Sequence, residues 1–339
     1  MIIEHVKIQG PGIAVHGGAG EWNIDPEEEK VVRSWLLRSL EVGYNVLLKG
    51  DSAIEAVTEA VAVMEDSGVF NAGRGSALNS LGYAELDAGL MDGSTMSVGA
   101  VSAVKGVRNA VKLARIIMKN TSHVLLCCDS AENITSALGY SFEKLEIAER
   151  QIRRYREFTT KILSGDHDLP QYVKTNIDVI KRLQSKASPI GGEMIPDQGY
   201  IGDTVGAVAI DREGRLAAAT STGGIWLKLP GRIGDSPIPG AGFYADPNIA
   251  CSATGIGEAI MTIALCRTVA LASRFMGGIT PAIAYSFEEL ENLPRFRGYA
   301  HAGMIIMSSS AELYMAFNTK GMARGYMWQG GAPITSIYK

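Results

Sequence analysis

The chain has 339 residues and a formal net charge of −4 with a pI near 5.8, so no basic surface advertises nucleic acid or an anionic membrane. Hydrophobic residues make up 46% and charged ones 20%, a globular composition with ample core material. No run of about 18 apolar residues occurs, and "MIIEHVKIQGPGIAVHGG" has no basic segment leading an apolar one, so neither a spanning helix nor a secretory signal is expected.

Cys127, Cys128, Cys251 and Cys266 show no C-x-x-C pair. Free, buried thiols in a reducing cytoplasm are the expectation.

"PGIAVHGGAG" reads as a short buried strand ending in a glycine turn. "NIDPEEEKVVRSWLLRSLEVGYNVLLKG" is helical: Asp25 caps, Pro26 suits the first position and acids fill the first turn. "DSAIEAVTEAVAVMEDSG" is a second helix, with Ser52 and Glu55 spaced as a capping box. Glycine-broken strands and turns follow, then a helix over "VRNAVKLARIIMKN" and a buried strand over "HVLLCCD". Residues 141–163 read as a charged helix, and the following stretch loses periodicity, so about 160–203 reads as an exposed, mobile connection. Beyond it come more strands, helices around Glu258–Met276 and Pro281–Leu293, and a closing strand pair, "AGMIIMSSSAELYMAFN". Helices bracketing antiparallel strands predict an α+β fold rather than alternating β-α-β units.

Several chemistries find no support. "GIGEAI" lacks a dinucleotide fingerprint, no P-loop or H-E-x-x-H occurs, and five scattered histidines do not suggest zinc. His16 in "VHGGAG" reads either as a base or as a structural histidine. "TVGAVAI" and "RLAAATST" flank "DREG", which predicts a hairpin. If Ile210 faces Arg215, Thr204 faces Ser221, give or take one residue, and Thr222 lies beside it. Two hydroxyls then converge at the open end, either as ordinary cross-strand partners or as a reactive pair.

"GDTVGAVA", "AAATSTGG", "LPGRIGDSPIPGAG" and "SATGIGE" together resemble the isoaspartyl peptidase/L-asparaginase family of threonine N-terminal nucleophile hydrolases, relatives of glycosylasparaginase. "HGGAG", "FNAGRGSALN", "ELDAGLMDG" and "FNTKGMARG" match in the same order, over nearly the whole chain except the connection. The resemblance implies a single domain with the four-layer αββα sandwich. It also implies autocleavage between Asp203 and Thr204 into an α subunit, 1–203, and a β subunit, 204–339. The reaction implied is hydrolysis of L-asparagine and β-aspartyl peptides through a covalent aspartyl-enzyme. No cofactor is required. The implied partners are small-molecule or β-aspartyl peptide substrates, with neither nucleic acid nor membrane, and a homodimer of cleaved αβ units, a heterotetramer.

The chemistry accounts for the residue types. A threonine hydroxyl needs an adjacent base, and the cut creates one: a new α-amino group with an ordinary pKa of about 7.7–8.0. By resemblance, Thr222 hydrogen-bonds the nucleophile, Thr254 and the Gly255 N–H form the oxyanion hole, and Asn71 helps orient the precursor or the nucleophile. Arg232, Asp235, Gly255 and Gly257 bind substrate. Arg232 would take its α-carboxylate and Asp235 its α-ammonium, although residue types alone allow a surface ion pair. Backbone carbonyls of Met64, Glu65, Ser67, Phe70, Ala72 and Arg74 match a sodium-binding loop.

Two departures bear on the pocket rim. After "STGG" the family commonly has a polar run, whereas Ile225, Trp226 and Leu227 stand here before Lys228. Ala302–Gly303, behind His301, replaces an expected glycine pair. Glycosylasparaginase-like hydrolysis, favoured by "GDSPIPGAGFYAD", and a non-maturing binding protein of the same fold are the alternatives.

Overall fold

The computed structural model describes residues 1–164, 169–185 and 204–339. Within them, an eight-stranded sheet runs from β13 (Ile334–Tyr338) through β12 (Gly321–Trp328), β2 (Gly12–Gly20), β6 (Val205–Ile210), β7 (Leu216–Thr222), β3 (Leu86–Asp92) and β4 (Val98–Val104) to β5 (Leu125–Cys127). A five-stranded sheet runs from β1 (Ile2–Lys7) through β11 (Glu312–Phe317), β10 (Ala302–Ser308) and β9 (Ile249–Gly255) to β8 (Phe243–Ala245). Neighbouring strands are antiparallel except β4 with β5.

Strand periodicity divides the core. Val205, Ala207 and Ala209 of β6 join Ala217 and Ala219 of β7 against helices α1 (Pro26–Leu48), α2 (Ala53–Asp66) and α3 (Ala110–Asn120). The alternate residues Val208, Ile210, Leu216 and Ala218 face the other sheet, where they meet Cys251 and Ala253 of β9. Helices α8 (Leu265–Ala272) and α9 (Ile279–Glu291) contribute Val269, Ile283 and Phe287 to that second cluster. The fold is thus α+β, with two sheets and helices. Even-numbered positions of β6 and β7 point between the sheets, and Thr204 continues that set.

The caps show local chemistry at work and one local failure. Asp25 accepts from the Glu27 and Glu28 N–H groups at 2.8 Å, with Glu28 closing the box as its spacing predicts. Ser52 makes no side-chain cap on α2; Asp211 takes the Ala53 N–H instead, at 3.1 Å. A carboxylate delivered by the fold displaces the local partner.

Other expectations are corrected. Residues 141–148 are not helical; α5 spans Glu149–Ser164. Gln171–Gln184, within the expected connection, is helix α6, with Val173 and Ile180 buried at helical spacing under a mostly polar surface. Cys128–Ala137 is helix α4. The edge strand β5 is largely exposed, so Cys127 and Cys128 face solvent while Cys251 and Cys266 are buried; all four are free. The single helix expected around Glu258 is two, α7 (Gly257–Ile263) and α8, broken at Ala264 with φ +49°. Asp203 and the connection beyond residue 185 lie outside the described residues.

Candidate active site

The β6–β7 hairpin closes one residue later than the turn sequence suggests. Ile210 pairs with Leu216 and Val205 with Ser221, which sets Thr204 opposite Thr222. Asp211 fixes this longer loop by accepting from the Glu213 and Arg215 N–H groups at 3.1 and 2.9 Å. Thr204 Oγ1 then donates to Thr222 Oγ1 at 3.1 Å, both residues buried. The Gly224 N–H also donates to Thr222 Oγ1, at 3.0 Å. Asn71 secures that turn: its Nδ2 donates to Gly224 O at 2.6 Å, and its backbone carbonyl accepts from Gly223 N at 3.1 Å.

Thr254 and Gly255 end β9 opposite Gly303 and Ala302. Thr254 is fully buried, and its hydroxyl has no hydrogen-bond partner among the described residues. A buried hydroxyl left so costs free energy unless a ligand uses it. Gly255 has φ +134°, and a Cβ there would stand 2.2 Å from His301 O, so only glycine fits. The Ala302 departure therefore packs directly behind this corner.

Arg232, Asp235 and Gly257 come together. A Cβ at Gly257 would lie 2.8 Å from Asp235 Oδ1 and 2.9 Å from Arg232 Nη2. A Cβ at Gly224 would lie 3.3 Å from Arg232 Nη1, which joins this group to the threonine pair. The Arg232 fork meets Glu258, with Nε–Oε1 3.0 Å and Nη2–Oε2 2.8 Å. Burial works against Glu258's charge, but the guanidinium outweighs it and lowers the carboxyl pKa.

Sequence reading missed three charges around this loop, one half-buried and two buried. Glu258 is the first. Asp87 pairs with Thr222 across β3 and β7, with its carboxylate accepting from Ala103 N at 2.9 Å and Gly234 N at 3.3 Å. Lys228 is 2% exposed and donates from Nζ to Glu85 O at 2.7 Å. Burial raises the Asp87 pKa and lowers that of Lys228, each against the pull of the other. Their only sequence signal is charge amid glycine-rich apolar runs.

His16 sits in a buried polar cluster. It is fully buried, its Nε2 2.9 Å from Ser252 Oγ, which in turn lies 2.7 Å from Thr220 Oγ1. A Cβ at Gly206 would stand 2.0 Å from Ser252 Oγ and 2.4 Å from His16 Nε2, so this cluster needs glycine there. Burial holds the imidazole down at about 3, from 6.5, against a smaller opposing contribution from the Thr204 backbone. The native pKa lies below the unfolded one, so stability is present above 6.5 and lost as pH falls toward 3. That loss should reach on the order of 3 kcal/mol by about pH 4. Urea unfolding at several pH values should show His16→Gln without this part of the slope; equal slopes would mean the imidazole titrates normally.

The sodium-loop residues form a carbonyl-lined turn. A Cβ at Gly73 would lie 2.5 Å from Glu65 O, and one at Gly75 2.1 Å from Phe70 O. The Phe70, Ala72 and Arg74 carbonyls accept from Ala72, Gly75 and Ala148 N–H at 2.8, 3.0 and 2.8 Å, each using one of two lone pairs. Met64 O takes both the Ser67 N–H and its hydroxyl, at 3.3 and 2.7 Å, and has the least to offer. Carbonyl oxygens with a lone pair to spare are the ligand type that a hard cation takes. Burial pushes the Glu65 carboxyl up to about 7, against hydrogen bonds led by that from Ser221.

The comparisons with known proteins identify the family. A family model described as asparaginase matches residues 9–337. A plant-type L-asparaginase of Pyrobaculum calidifontis is 39% identical over 318 residues, 93% of this chain and 96% of the relative. An isoaspartyl peptidase/L-asparaginase of Xenopus laevis is 39% identical over 92% of this chain and 91% of its own. An isoaspartyl peptidase of Salmonella typhimurium is 36% identical over 96% and 98%. This chain belongs to the asparaginase family.

Proposed function

We propose that the chain cuts itself between Asp203 and Thr204, and that the new N-terminal threonine hydrolyses L-asparagine and β-aspartyl peptides. The observation that carries this reading is the buried Thr204–Thr222 hydroxyl pair at the head of β6. Membership of a family whose relatives are called L-asparaginase and isoaspartyl peptidase supports the substrates.

In the cut, Thr204 Oγ1 attacks the Asp203 carbonyl, the C–N bond breaks to free the α-amino group and leave an ester, and water then hydrolyses that ester to the Asp203 carboxylate and the Thr204 hydroxyl. That amine then takes the hydroxyl proton as Oγ1 attacks the substrate's side-chain amide. Thr254 Oγ1 and the Gly255 N–H receive the developing oxyanion, worth roughly 3–4 kcal/mol for such a donor. The protonated amine passes its proton to the leaving amine or ammonia. Water, deprotonated by the same amine, hydrolyses the aspartyl ester and restores Thr204. Arg232 and Asp235 hold the substrate's carboxylate and ammonium, and Thr222 keeps the hydroxyl aimed. Asn71 fixes the turn behind it.

Where sodium binds, the carbonyls of Glu65, Ser67, Phe70, Ala72 and Arg74 would hold it, stiffening the loop that carries Asn71. The finer architecture proposed is the four-layer αββα sandwich, with helices of the two core clusters outside two facing sheets. The working assembly is a homodimer of cleaved αβ units. Four free thiols suit a reducing cytoplasm, and no helix among the described residues is long and apolar enough to cross a membrane.

A denaturing gel and an ammonia-release assay test the reading together. The purified chain should give two fragments and release ammonia from asparagine. One persistent band near 36 kDa without turnover would favour the non-maturing alternative.

A further inference from the structure

Helix α5 is tied to both loops of the site. Just ahead of it, the Ala148 N–H donates to Arg74 O at 2.8 Å. From α5 itself, Gln151 Nε2 reaches Gly75 O at 2.7 Å and Tyr155 Oη reaches Ser80 O at 3.3 Å. Further along, the Phe158 ring lies 5.6 Å from the ring of Trp226, centroid to centroid. The Arg154 guanidinium carbon stands 5.6 Å from the Trp226 ring and 5.7 Å from that of Phe158. Trp226, only 6% exposed, is one of the apolar residues standing where the family's polar run is expected.

The loop beyond Trp226 is constrained. Leu227 has φ +56°, a conformation unfavourable for a non-glycine residue, and is held there by Leu227 N to Leu78 O at 2.8 Å. Ser80 N donates to Lys228 O at 2.9 Å, and the Arg232 N–H closes the next turn on Leu229 O at 2.9 Å. The near end of the same loop is fastened separately, by Asn71 and Thr222.

We propose that Trp226, gripped by Phe158 and Arg154, is a positioning residue that holds the Arg232 loop for the amino-acid end of the substrate. A helix upstream of the cut would thus set substrate affinity while leaving the nucleophile alone. The inference rests on the proposed roles of Arg232 and Thr204. Aromatic and cation–π contacts of this kind contribute modestly, and their loss should fall on ground-state binding, because the threonine end of the loop keeps its own anchors.

The test compares Trp226→Ala, Trp226→Phe, Phe158→Ala and the Trp226→Ala/Phe158→Ala double variant by asparagine kinetics, and by calorimetric Kd for L-aspartate. KM and Kd should rise about three- to tenfold in each alanine variant with kcat within about twofold. The double variant should be little worse than either single one, and phenylalanine should restore most affinity. Phe158→Ala answers if Trp226→Ala does not fold. Unchanged KM and Kd beside a lowered melting temperature would overturn the proposal and leave the stack a core contact. An uncut, inactive wild type would defeat the proposed reaction instead, and the aspartate Kd values would still decide the inference.

Discussion

Thr204→Ala is expected to give a folded, single-band protein that releases no ammonia from asparagine. One hydroxyl performs both steps, so its loss removes the cut and the turnover together. Where catalytic residues act as a unit, removing the nucleophile costs on the order of 10⁵–10⁶ in kcat. Folding should survive, since the methyl group lost lies at a strand end and the core positions of β6 are Val205 through Ile210. Thr222→Ala makes a graded companion: it removes the acceptor 3.1 Å from Thr204 Oγ1 and the Gly224 N–H contact, while leaving the nucleophile present. Both cutting and single-turnover hydrolysis should slow about three- to tenfold, the worth of a net hydrogen bond. Fragments appearing at the normal rate in Thr204→Ala would move the nucleophile elsewhere. An unchanged single-turnover rate in Thr222→Ala would reduce the hydroxyl pair to ordinary strand packing.

The hairpin was legible because alternation and turn chemistry act over a few residues. Its register was displaced by one because Asp211 holds the loop with its carboxylate, a tertiary choice that "DREG" does not disclose. The same distinction separates Asp25 from Ser52: Asp25 caps with neighbours in sequence, whereas Asp211 reaches α2 from across the fold. Thr254 and Gly255 rest on motif resemblance, and no local pattern marks them. Glu258, Asp87 and Lys228 escaped notice because each is recognised by its partner, and these partners meet only through the fold. Helix α6 was missed because its two buried positions are diluted by a polar face. Strand β12 escaped through its glycines and β13 through its brevity.

Arg232 and Asp235 separate recognition from chemistry. The peptide bond cut during maturation carries no free carboxylate and ammonium, so Arg232→Ala and Asp235→Asn should still be cut. Hydrolysis of asparagine should nonetheless fall about tenfold to a hundredfold in kcat/KM, since a charge-assisted contact is worth roughly 1.5–3 kcal/mol. The Glu258 pairing sharpens this expectation. In Arg232→Ala the Glu258 carboxylate loses the fork now at 2.8 and 3.0 Å, so some melting temperature must be lost as well. Glu258→Gln supplies the control: it weakens that pair and leaves the guanidinium to the substrate. If Arg232 serves recognition, Glu258→Gln should lower kcat/KM much less than Arg232→Ala while lowering the melting temperature comparably. Arg232→Lys should remain poor, because a point charge cannot reproduce a bidentate grip on a carboxylate. Substrate analogues lacking the α-amino acid end should be nearly indifferent to both Arg232→Ala and Asp235→Asn. Should Arg232→Ala keep full activity on asparagine and merely melt earlier, then the guanidinium serves Glu258 alone, and the substrate's carboxylate must be bound by another group.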